Sequence, residues 1–67
     1  MADYRKKIAI DNLDLLIKET GNIRKTAEKV LNMAEPYSQQ AVEDSKYSIL
    51  HYIGKTQELL IEIREGM

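Results

Sequence analysis

Apolar residues recur at helical spacing through almost the whole of this chain, and that property restricts it to an all-α fold. Ile23, Ala27, Val30, Leu31 and Ala34 stand at i, i+4, i+7, i+8 and i+11, the repeat of one helix face. From Tyr37 onward, Ala41, Val42, Ser45, Ile49, Tyr52, Ile53, Thr56, Leu59, Leu60 and Ile63 keep a single helical phase. In the first segment Tyr4, Ile8, Ala9, Ile10, Leu13, Leu15, Leu16 and Ile17 spread over a broad arc. Lys7, Asp11, Asp14 and Lys18 hold the narrow remainder, at spacings where opposite charges support a solvated face.

Two breaks punctuate this pattern, Gly21-Asn22 and Glu35-Pro36. Glycine can take the left-handed conformation that closes a helix, and asparagine is a good N-cap for the next. Proline lacks an amide hydrogen and disfavours helical geometry in the residue before it, yet is tolerated in a first turn. These signals predict helices over 4–20, 23–34 and 37–64, with Asp3 capping the first. Gly54 falls inside the last without shifting its phase. The expectation is a single domain over 1–67, an all-α three-helix bundle with a long third helix, completed by oligomerisation. Its core should draw on Ile8, Leu13, Leu16, Ile17, Ala27, Val30 and Leu31, and on Ile49, Tyr52, Ile53, Leu59, Leu60 and Ile63.

The need for a partner follows from size. A chain of 67 residues buries only about 60% of the surface that its unfolded form exposes. Small proteins make up the difference with disulfides, a metal, very good packing or self-association. Cysteine is absent and His51 is the one histidine, which removes disulfides, thiolate zinc sites and an all-histidine cage. Ten basic and eleven acidic side chains leave a net charge of −1, a poor balance for a protein that neutralises nucleic-acid phosphates. Neither a signal peptide nor a membrane span is expected. The cytoplasm is the expected compartment.

The long helix carries a second apolar row, Tyr47, Leu50, Gly54 and Ile61, on the side away from its main one. A glycine amid that row lets another helix approach closely. These four residues are the expected interaction face, and a homodimer built by pairing long helices around Gly54 is the expected assembly, another helical protein being the alternative partner.

Catalytic chemistry is not expected. Asp44 and Glu58 lie two turns before and after His51, neither three or four positions away, and Lys55, which is, would oppose a charged histidine, so His51 lacks the orienting carboxylate a general base needs. Glu58, Glu62 and Glu65 form an acidic strip in the last turns, where the helix dipole disfavours negative charge. A helix offers hard cations too few convergent oxygens, so the strip reads as a solvated or partner-facing surface. No cofactor is implied.

The segment Leu15–Val30 resembles the helix-turn-helix of nucleoid and enhancer-binding proteins, with Gly21-Asn22 opening a helix that carries the small residue Ala27. That resemblance makes a small DNA-binding protein the alternative function. Leu31 stands where such motifs turn into the recognition helix. The segment after Pro36 offers Ser38, Gln39, Gln40 and Lys46 but also Glu43 and Asp44, which oppose phosphate. A second resemblance lies in Ala27–Tyr37 followed by Glu43–Tyr47. Its Leu-x-Met-Ala-x-x-Tyr core, Leu31, Met33, Ala34 and Tyr37, is similar to the central helix of a family of short archaeal helical proteins of unknown function. The likeness implies a helical fold and an archaeal source, and no activity. Together these observations lead to the expectation of a non-catalytic protein-protein interaction or assembly module.

Overall fold

The computed structural model describes residues 2–67, with side chains from Tyr4 onward. Asp3, expected as an N-cap, lies outside the residues whose side chains are described. Two helices make up the fold, α1 over Ala2–Ala34 and α2 over Gln39–Glu65. They pack on each other as a helical hairpin, not as the three-helix bundle that the sequence breaks suggest.

The difference lies at Gly21-Asn22, where α1 runs through without interruption. No described glycine has a positive φ, so Gly21 does not close a helix. One glycine inside a helix costs about 1 kcal/mol relative to alanine, and the apolar spacing of α1 continues unbroken across it. The reason for a glycine is packing. A methyl group at position 21 would stand 3.0 Å from the side-chain nitrogen of Gln57 on α2.

At Pro36 the expected break is real. The helix ends at Ala34, and Glu35–Ser38 reverse the chain. The amides of Tyr37 and Ser38 both donate to the Ala34 carbonyl at 3.0 Å. Pro36 therefore sits in the turn, and α2 opens two residues later than the expected Tyr37. Ser38 occupies its N-cap without a side-chain cap bond.

A constant antiparallel register joins the helices. Asp14 faces Arg64, Ile17 and Gly21 face Gln57, Arg24 faces Gly54, and Asn32 faces Lys46. On α1 the seam runs through Ile10, Leu13, Ile17, Thr20, Arg24, Ala27, Leu31 and Ala34, at alternating steps of three and four. On α2 it runs through Val42 and Lys46, then Leu50, Ile53, Gln57, Leu60 and Arg64. Alternation of three and four is the repeat that keeps one stripe facing a partner helix. Val42 is the one buried apolar residue described, at 6% exposure, and Thr20 the one buried polar residue. The Thr20 hydroxyl donates to the Leu16 carbonyl at 2.8 Å, which satisfies it within its own helix.

A single seam between two helices leaves a thin rod, 54 × 16 × 11 Å. Its radius of gyration is 15.9 Å, against about 11 Å for a compact domain of this length. At the open end α1 is the longer arm. The register sets Glu65, the last residue of α2, level with Leu13, so Tyr4–Ile8 project past the end of α2.

A polar and an apolar side face

The seam divides the rod into two side faces of opposite character. One flank consists of residues that follow the second position of each seam pair: Asp14, Gly21 and Glu28 on α1, with Tyr47, Gly54 and Ile61 on α2. In an antiparallel pair like flanks meet, because reversing one helix exchanges its sides. Among the described residues, the side-chain polar links between the helices all lie along this flank. Arg64 Nε donates to Asp14 Oδ1 at 2.9 Å, and Lys46 Nζ to Asn32 Oδ1 at 2.6 Å. Gln57 Nε2 donates to the Ile17 carbonyl at 3.1 Å. Shallow, open depressions along it are lined by Arg24, Lys25, Glu28 and Gln57 in its middle, and by Tyr47 and Leu50 with Glu35, Glu43 and Lys46 nearer the turn.

The opposite flank consists of residues that precede the first position of each seam pair. On α1 these are Leu16, Ile23 and Val30, seven residues apart; on α2 they are Ile49, Thr56 and Ile63, with Tyr52 and Leu59 beside them. Every large apolar residue among these is exposed: Ile23 and Val30 at 55%, Leu59 at 46%, Ile63 at 54% and Tyr52 at 68%. Among the described residues, none of the side-chain hydrogen bonds or ion pairs that join the helices falls on this flank. Leu16, Val30, Ile49, Tyr52, Leu59 and Ile63 belong to the core that the sequence predicts, as does Ile8 at the overhanging end. The hairpin covers Leu13, Ile17, Ala27, Leu31, Ile53 and Leu60 in part and leaves these seven exposed. The apolar arc on each helix is wider than one neighbouring helix can bury.

The four residues expected to form an interaction face are on the polar flank of α2. Leu50 and Gly54 are partly covered in the seam, Gly54 with the Arg24 guanidinium lying over it. Tyr47 is 80% exposed, and Ile61 stands at the edge of the hairpin at 37%. Arg24 therefore fills the approach that a second long helix would use at Gly54.

His51 is exposed on the outer surface of α2, its ring stacked on Tyr47 at 6.1 Å and edge-on to Tyr52 at 5.4 Å. Those rings supply neither a nucleophile nor an orienting carboxylate. Of the acidic strip, Glu58 pairs with Lys55 at 3.9 Å. Among the described residues no three histidine, cysteine or acidic side chains converge to hold a metal. No described helix is long and apolar enough to cross a membrane.

No family model matches this chain, and no curated protein or solved structure gives a significant match. The likeness to the archaeal helical family thus rests on Leu31, Met33, Ala34 and Tyr37 alone.

Proposed function

We propose that this protein is a non-catalytic assembly module whose apolar side face docks on a helical surface of a protein partner. The exposed stripe along one flank of the hairpin carries this reading. Leu16, Ile23 and Val30 repeat every seven residues beside an already occupied seam, and α2 continues the same face with Ile49, Tyr52, Leu59 and Ile63. Two adjoining apolar stripes on one helix suit a bundle of more than two helices. A contiguous apolar patch of this kind is a common mark of an interaction site.

The DNA-binding alternative loses the geometry it needs, since α1 is one helix across Gly21-Asn22 and forms no helix-turn-helix there.

The test compares two substitutions in the native source. Ile23→Asp, on the apolar flank, should reduce the native size of the complex containing this protein to that of the 7.7 kDa chain. Lys25→Asp, on the polar flank, should leave the size unchanged. A native size insensitive to Ile23→Asp would overturn the proposal.

A further inference from the structure

We propose that the occupant of the apolar side face is a second copy of this chain, packed across a two-fold axis as a four-helix bundle. This rests on the assembly reading above and adds the identity of the partner.

Area supports a partner of this size. A folded monomer of 7.7 kDa exposes about 4,300 Å², whereas this chain exposes 5483 Å². The excess, about 1,100 Å², is more than the roughly 800 Å² that one partner contributes to a standard stable interface. Covering one flank of a hairpin with the same flank of another is the self-complementary contact that a two-fold axis requires. Each face offers rows of branched and aromatic side chains at one repeat, so the two copies meet as like surfaces.

Sedimentation of the purified protein at tens of micromolar should give twice the 7.7 kDa chain mass. Ile23→Asp, and independently Leu59→Asp on the other helix, should weaken the dimer by about 100-fold while circular dichroism shows the helices retained. A purified monomer beside a larger native complex that Ile23→Asp disperses would remove the second copy and leave the assembly reading standing. A dimer indifferent to both aspartate substitutions would remove the two together.

Discussion

The Gln57 side chain lies against Gly21 and donates its amide to the Ile17 carbonyl one turn earlier, at 3.1 Å. The glycine and the amide form one contact: the missing side chain on α1 leaves room for the polar group of α2. Gly54 is the counterpart on the other helix, but the atoms over it belong to the flexible end of Arg24, and an added methyl would meet them at an ordinary 3.8 Å.

Alanine should therefore act differently at the two glycines. Gly54→Ala should raise stability by about 1 kcal/mol, the usual gain from removing a glycine inside a helix. Gly21→Ala should fall short of that by about 1 kcal/mol, because Gln57 must withdraw and its hydrogen bond is lost. Thermal unfolding of Gly21→Ala in a Gln57→Ala background should recover the missing gain. Equal gains for both glycines in the parent chain would contradict this account of Gly21.

Arg64 and Asp14 form the one ion pair described between the helices. Their side chains are 38% and 55% exposed, so solvent screens much of the attraction. A double-mutant cycle through Arg64→Ala and Asp14→Ala should give a coupling below about 1 kcal/mol. Repeating the cycle at 1 M salt, where the screening length is about 3 Å, should bring it close to zero. A coupling that survived such salt would mean that this pair is drier than its exposure implies.

Thr20 is buried in the seam, yet its hydroxyl bonds only to Leu16 in its own helix. Valine keeps the shape and removes a polar group that nothing on α2 satisfies. Thr20→Val should therefore change the unfolding free energy by less than about 1 kcal/mol in either direction. A loss of 2 kcal/mol or more in denaturant titration would point to a role for the hydroxyl beyond Leu16.

The all-helical class and the break at Pro36 were legible in the sequence, since each depends on local chemistry. The extra break at Gly21-Asn22 was not. Glycine followed by asparagine carries the same local signal whether it ends a helix or gives room to a facing side chain. The deciding residue, Gln57, is distant in sequence and becomes visible only once the register is known. The placement of Tyr47, Leu50, Gly54 and Ile61 on the flank that carries the polar links between the helices was not legible for a related reason. Helical periodicity reveals that two apolar stripes exist on α2 but not which one α1 will occupy. The seven-residue repeat of Leu16, Ile23 and Val30 beside the Ile17 and Leu31 positions was the available signal, and it was absorbed into a single broad core.

The seam and the side face should separate cleanly in their dependence on protein concentration. Leu13 and Leu60 are partly buried between α1 and α2 of one chain, and they matter to the hairpin whatever its assembly state. Ile23 and Leu59 are half exposed within the chain and gain cover only from a neighbour. Leu13→Ala and Leu60→Ala should lower the melting temperature by amounts that hold across a hundredfold dilution; at such partly covered sites each should cost toward the lower end of about 2–5 kcal/mol. Ile23→Ser and Leu59→Ser should lower it at high concentration and lose their effect on dilution, because association stabilises the folded state by mass action. Calorimetry over a concentration series measures both trends at once. If the serine variants at the side face behaved like the seam variants, with losses independent of concentration, these exposed residues would be stabilising the hairpin itself, and the case for an assembly through that face would fall.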